Sequence, residues 1–546
     1  MQVHSVQQKN INNQKAPQFK GAIDASLRFL ATNQGVGANL TDLSFMVIPR
    51  VATDAQRNPD ACLETARREA SGTANHSLIG AYGLASGILL ASLMGVDKKY
   101  GTNANAMFTA PETLNILTEN KAKQVQNKTS QLDYLKETLT NIKAYNPSAN
   151  GADKDGFIRL SEETVDDIAK LIDNALNDKN VTYKKWSSAT APDSLQVAMN
   201  KIIANTGAES KYVLESTDKK ILSNTSLKTL LEDVYKVSNA FNKEEVKKAF
   251  EEQIKNGKGI QENAFIKKFS KFMKTRSAAG FVLGTAIGMS IQPLNIYLTK
   301  LKTGSDGFVG VEGRSKDNST EFKILKSVAS AGFMGLTLAT LGTGFKGFMD
   351  KMAFKGFWPT ISQLKGIYGL TIISRLMAAR DKDELRESLT KDTLGFLSWL
   401  VLGDFVNRIT AESMDKSVMN RTKDVANQGF FKRIFNSSLK TRDEILVEAL
   451  AKNGIDTVKK DGDKTVAKTF NELMKDLDKL PEQIRKTTKK RLGTLNKAQL
   501  AGYAFSGLVL GLGIPNLNIY ITNKLDKKRK EKAATGAAKQ AEIAKA

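Results

Sequence analysis

Four polar side chains interrupt otherwise apolar stretches of this chain: Gln292 and Asn295, then Asn518, and Asp404. In a hydrocarbon environment an amide or carboxyl group is costly unless it is paired or used, so such residues mark solute or proton paths. Pro293 and Pro515 stand near three of them, and proline-interrupted helices free backbone groups that can hold a polar solute. One candidate chemistry is therefore passage of a small polar solute between helices. A structural reading is better supported by the flanks. On it, Pro293 and Pro515 end their helices near a membrane surface, Tyr297 and Tyr520 anchor there, and lysines follow within a few residues.

Other chemistry finds little footing. Gly342-Thr-Gly344-Phe-Lys-Gly347 has GxGxxG spacing, but a dinucleotide loop needs a preceding strand and a later acid, and neither is expected here. Residues 151–162 resemble a calcium loop with Gly156, Ile158 and Glu162 in place. Gly151 occupies the position of the first acidic ligand, so the segment reads as a surface turn capping a helix that begins near Ser161. With Cys62 the lone cysteine and His4 and His76 the only histidines, a zinc site is close to excluded. His76 is expected at a membrane edge. Walker A, nucleophile-elbow and HExxH motifs are absent from the sequence. No catalytic, cofactor-binding or metal-ligating residue is expected.

These residues must be positioned by helices, since hairpin signals are scarce and Ala, Leu, Lys and Glu abound. Charge-free windows of about 20 residues, the length that crosses a bilayer core, occur at 78–96, 277–299, 327–345 and 500–522. Weaker ones lie at 358–379, which carries Lys365 and Arg375, and at 393–406, which carries Asp404. Gly83 and Gly87, then Gly280, Gly284 and Gly288, then Gly507 and Gly511 recur four apart, the small-residue ladder that lets helices approach closely in lipid. Shifting by 223 positions overlays Ala278, Gly284, Gly288, Ile291, Leu294, Asn295, Ile296, Tyr297 and Thr299 on Ala501, Gly507, Gly511, Ile514, Leu517, Asn518, Ile519, Tyr520 and Thr522. This predicts an internal repeat, parallel or inverted according to the number of spans between the copies.

The balance of 81 Lys and Arg against 57 Asp and Glu gives a formal charge of +24, and mean hydropathy is −0.31. Anionic lipid headgroups are the favoured partner, with nucleic acid disfavoured because aromatics seldom interleave with the lysines. The organisation expected is a disordered lead at 1–20 and a helical region at 21–75, in which Glu64 makes surface ion pairs with Arg67 and Arg68. A transmembrane helix at 76–97 follows, then an extramembrane helical domain at 98–276 with amphipathic helices near 130–145, 161–177, 225–241 and 243–255. Membrane helices at 277–407, a second extramembrane helical region at 408–499, a transmembrane helix at 500–522 and a basic tail at 523–546 complete it. The polar N-terminus does not read as a cleavable signal peptide.

Gln18-Phe-Lys-Gly21 after a polar lead, with Arg67-Arg68-Glu69-Ala-Ser-Gly72 before the first apolar window, is similar to uncharacterised bacterial multi-pass membrane proteins. That resemblance implies a bacterial inner membrane and carries over no activity. The expected fold is all-α, a polytopic membrane bundle of about four to six spans with inserted soluble helical regions. The expected function is a non-enzymatic scaffold in the lipid bilayer, offering 98–276 and 408–499 to protein partners. A transporter or pore and a soluble basic nucleic-acid-binding protein are the alternatives.

Overall fold

The computed structural model describes residues 26–30, 37, 39–40, 42–216, 220–311, 315–354, 359–398 and 402–543. The lead at 1–20 and the motif at 18–21 lie outside them. Helix makes up 74% of the structure, and strands are few.

A π-helical turn at Leu43–Val47 runs into α1 (Ile48–Ala55). α2 (Pro59–Ser77) starts where a helix should: the Asn58 side chain accepts the Ala61 amide at 2.7 Å, and Pro59 takes the first position, where no amide is needed. A 53° bend separates α2 from α3 (Ile79–Met94), which Gly95 stops in the left-handed conformation. The segment that follows carries four short strands, β1 (Ile142–Tyr145), β2 (Phe157–Arg159), β3 (Tyr212–Glu215) and β4 (Lys220–Thr225), in the antiparallel order β2-β1-β3-β4. Then come α4 (Ala264–Thr303), α5 (Thr320–Leu341), α6 (Ile361–Ala378), α7 (Lys382–Leu397), α8 (Gly403–Met414), α9 (Arg442–Ala451) and α10 (Glu482–Ser506). A π-helical stretch at Gly507–Gly513 links α10 to α11 (Ile514–Ile543).

Among the described residues three helices are long and apolar enough to cross a membrane: α4, α5 and the continuous run Glu482–Gly536. The bent pair α2 and α3 adds a fourth if it counts as one span. α6 fails that test, and its surroundings explain its charges. It is buried along most of its length and packs on α4, α5 and α7. Lys365 donates to the Thr340 carbonyl at 3.0 Å, and Arg375 is 3% exposed among acids. Residues 523–543 of the basic tail are the end of α11, and Arg529 pairs with Asp383 on α7 at 2.7 Å.

Several expectations need correction. The helix placed near 130–145 ends at Thr140, and 142–145 is the strand β1. Its neighbours at Glu162–Asn177, Leu227–Phe241 and Glu244–Lys255 are helices. The small sheet was invisible because its strands are only three to six residues long, too short for alternation to stand out. The stretches 98–276 and 408–499, read as separate regions, share one core: Leu446, Val447, Leu450 and Leu477 pack with Leu231, Phe241 and Phe269. We call this joint unit the head.

A carboxylate clamp fastens the head. Glu444, at the start of α9, accepts the amides of Glu209 at 2.6 Å and Ser210 at 3.1 Å, and Thr441 donates to Glu209 at 2.6 Å. Burial, then the charges of Asp443 and Glu444, push the Glu209 carboxyl up to about 8. An acid whose folded pKa is raised contributes stability below its unfolded value near 4.5, and that contribution is lost as pH rises through 8. Glu209→Gln should therefore melt at a higher temperature than the parent at pH 9, with the two converging near pH 4. A gap that is constant with pH would show that Glu209 is ionised in the fold.

Candidate functional site

The most unusual chemistry lies where α1 and α2 meet α6 and α7. Fixed charges are gathered there with almost no access to solvent. Arg380 is 1% exposed and forks onto two acids. Its Nη1 and Nη2 reach Glu64 Oε2 and Oε1 at 3.2 and 2.7 Å, and its Nε and Nη2 reach Glu384 at 2.9 and 3.0 Å. Arg57 mirrors it, holding Glu387 at 3.0 and 2.7 Å. A second group surrounds Glu69, whose carboxylate meets Arg50 at 3.2 Å, Arg68 at 3.0 Å, Lys391 at 3.6 Å and Arg375 at 3.7 Å. Arg375 also pairs with Asp392 at 3.1 Å. Arg–carboxylate forks are the strongest protein ion pairs because both donors align with both acceptors.

The local sequence sets these positions. Arg57 and Arg380 each precede a helix by a residue or two. Each helix then has a polar cap, Asn58 for α2 and Asp381 for α7, the latter accepting the Glu384 amide at 2.8 Å. From these caps, acids at 64 and 69 and at 387 and 392 fall toward the partner helix. The two segments read alike: Arg57, Asp60, Glu64, Thr65, Arg68, Glu69 and Gly72 have the spacing of Arg380, Asp383, Glu387, Ser388, Lys391, Asp392 and Gly395. Their contacts are reciprocal. Arg57 crosses to Glu387 while Arg380 crosses to Glu64. Likewise Arg50 Nη2 passes 2.8 Å from where a Cβ on Gly395 would sit, while Arg375 Nη2 passes 3.4 Å from one on Gly72.

Surface ion pairs from Glu64 to Arg67 and Arg68, expected from helical spacing, do not form. Glu64 turns inward to Arg380, Arg68 serves Glu69, and Arg67 donates to Thr299 Oγ1 on α4 at 2.7 Å. His76, expected at a membrane edge, is 2% exposed with its ring edge-on to Tyr368 at 5.0 Å.

The polar residues of the apolar windows divide. Pro515 and Asn518 line the ionic cleft, and Asn518 Nδ2 donates to the Glu387 carbonyl at 3.0 Å. Gln292 and Asn295 are buried on α4 but line no part of that cleft. Asp404 stands apart, exposed on α8 and paired with Arg408. Pro293 does not end its helix, since α4 continues to Thr303, whereas Pro515 sits in the first turn of α11. Tyr297 and Tyr520 both point outward, 58% and 62% exposed.

Glycines hold the frame together. Gly83 on α3 and Gly280 on α4 approach backbone to backbone, capped by the Phe354 ring. Gly87 faces Arg276, Gly284 faces Tyr82 and Ile367, and Gly288 faces Thr371. Gly507 and Gly511 face Phe45 and Pro49 of the first helical turns.

The remaining motifs are structural. Gly342 ends α5 in the left-handed conformation and Gly344 caps a seven-residue helix, Phe345–Lys351, so the GxGxxG spacing follows a helix rather than a strand. In the calcium-like loop, Asp153 Oδ1 is occupied by the amides of Asp155 and Phe157, and Ser161 caps the next helix. Among the described residues no group of three or more His, Cys, Asp and Glu is placed to hold a metal ion.

The ionic cleft escaped a local reading because the pairs that join its two sides, Arg57–Glu387 and Arg380–Glu64, link residues more than 300 positions apart. The signal that could have revealed it is the shared spacing of 57–72 and 380–395. Comparison with protein-family models, with curated proteins and with solved structures finds no match for this chain.

Proposed function

We propose that this chain is an integral membrane scaffold, two duplicated helical halves clasped by a buried ionic cleft and carrying one head for protein partners. The observation that carries the membrane reading is outward apolar surface. In the candidate spans only 22% to 33% of the apolar stretch is buried inside the protein. Leu89, Leu93, Val282, Leu294, Val328, Leu508 and Leu517 are all exposed. Such a surface is stable against lipid and a liability in water. A short helix at Phe430–Asn436 exposes Phe430, Phe431 and Phe435 beside Lys432, as an interfacial foot would.

Duplication is supported by the reciprocal contacts of 57–72 with 380–395 and by the matched 278–299 and 501–522. It extends to packing, because α3 lies on α4 as α8 lies on α10. The scaffold reading is supported by the pairing of nearly every charge in the cleft.

A topology map tests the membrane placement. α4 has 40 residues, about 60 Å at 1.5 Å per residue, so its two ends belong on opposite faces of a bilayer. With Cys62 replaced by serine, Lys154→Cys and Asp463→Cys should label from one side and Ser305→Cys from the other. Carbonate extraction should leave the chain in the membrane pellet. Recovery in the soluble fraction would remove the proposal and favour the basic nucleic-acid-binding alternative.

One observation favours transport as a second reading: the last apolar helix widens into a π-helical stretch at 507–513 just before Pro515 and Asn518 reach the cleft. Solute flux in proteoliposomes, lowered by Asn518→Leu, would support it. No flux with the parent chain removes it.

A further inference from the structure

The head-side ends of the two longest apolar helices are basic and carry no acid. No Asp or Glu occurs between Glu262 and Asp306, or between Glu482 and Asp526. The shift of 223 that overlays their apolar windows also sets Lys267, Lys268 and Lys274 on Lys490, Arg491 and Lys497. Lys267, Lys274, Lys490 and Lys497 are exposed, and none pairs with an acid among the described residues. Both helices run from the head to the cleft. Phe265 and Phe269 of α4 lie in the head core, and Thr299 meets Arg67. Leu492 and Leu495 of α10 pack with Ile445 of α9, and Thr522 meets Glu387. The basic ends therefore face the same way.

The short helix Phe430–Asn436 sits at that rim. α8 runs back along α10, with the Gly403 carbonyl 3.2 Å from where a Cβ on Gly502 would sit and Arg491 donating to Ser417 Oγ at 2.8 Å. Between those contacts the short helix packs on α8: Phe435 stacks on Phe405 at 4.5 Å, and Arg433 reaches Glu412 at 3.1 Å. It thus lies at the height of Lys497 and of Leu500, where outward apolar surface begins. Phe430, Phe431 and Phe435 are exposed around Lys432, which is exposed too and pairs with no acid among the described residues. The acids that α8 brings to this helix are already engaged, Glu412 by Arg421 and Arg433 and Asp404 by Arg408. Clustered rings are a liability in water, and lysines without acids attract negative charge; an anionic bilayer surface answers both.

We propose that this rim, the three phenylalanines with Lys432, Lys490 and Lys497, docks on a leaflet rich in anionic lipid. The rings enter the headgroup layer and the ammonium groups meet the headgroup anions. The inference rests on the membrane reading and adds which leaflet the head faces.

The test uses the full chain with Cys62→Ser and Asn436→Cys, a fluorophore on the thiol at 436, in phosphatidylcholine vesicles with a trace of nitroxide-labelled lipid. Labelled phosphatidylserine should quench about five times as strongly as labelled phosphatidylcholine, the ratio equivalent to the ~1 kcal/mol of one basic residue near an anionic surface. The preference should fall toward unity at about 1 M salt, where the screening length is about 3 Å. It should also fall in Lys432→Gln combined with Lys490→Gln and Lys497→Gln. Neutralising as many lysines at the far end, Lys527→Gln with Lys528→Gln and Lys532→Gln, should leave it. A chain that floats with the vesicles but shows no quenching, or equal quenching by the two lipids, overturns this inference and leaves the membrane reading standing. A chain that does not float with them overturns both.

Discussion

Arg380→Met should destabilise the folded chain by about 3–5 kcal/mol, the usual cost of leaving a buried charge without its partner. Glu64 and Glu384 are 3% and 4% exposed, and both depend on this one guanidinium. Methionine fills similar volume, so the loss comes from two stranded carboxylates rather than from a void. Adding Glu64→Gln and Glu384→Gln to Arg380→Met should recover much of the loss, since a neutral amide needs no counter-charge. The pseudo-equivalent Arg57→Met supplies an internal comparison. Arg57 and Glu387 are 8% and 13% exposed at their side chains, so water can reach the freed carboxylate and the effect should be smaller. Urea or thermal melting of the three variants decides it. If Arg380→Met costs less than about 1 kcal/mol, the fork is not what holds α2 to α7.

The contrast between Arg380 and the apolar windows shows which parts of the fold a sequence exposes. Hydropathy is local, so α4, α5 and the Glu482–Gly536 run are visible as windows from residue types alone. Glycine spacing is local too, and it names Gly83, Gly280, Gly284, Gly288, Gly507 and Gly511 before any contact is known. Charges behave differently. On a single helix Glu64, Arg67 and Arg68 look like a solvated face, because solvent is the default neighbour of a charge when no other is known. The true neighbour of Glu64 is Arg380, just ahead of α7 and more than 300 residues on, and that of Arg67 is Thr299 on α4. The local trace of the Glu64–Arg380 contact is the shared spacing of charges in 57–72 and 380–395. Asp404 errs in the opposite sense. An acid within a short apolar window reads as buried, yet it lies on the open side of α8, where Arg408 one turn later satisfies it.

Gly280→Ala should destabilise the chain by about 1–3 kcal/mol, the range for overfilling a packed contact, while Gly332→Ala should be neutral or stabilise it by up to ~1 kcal/mol through helix propensity. Both glycines lie inside apolar helices, α4 and α5, so composition does not separate them. Geometry does. A Cβ on Gly280 would stand 2.8 Å from Phe354 Cε2 and 3.0 Å from the Gly83 Cα, whereas one on Gly332 meets nothing within 4 Å. The Phe354 ring has little freedom to retreat. It is 1% exposed, its backbone amide donates to Ser277 Oγ at 3.1 Å, and it lies equally close over Gly83. The other obstacle is backbone, which cannot yield without separating α3 from α4. Gly280→Val should therefore cost more than Gly280→Ala, since branching at Cβ adds a clash along the same line. Melting of Gly280→Ala, Gly280→Val and Gly332→Ala under one condition orders the three. Equal melting temperatures for the two alanine variants would mean that α3 and α4 are not held at glycine distance.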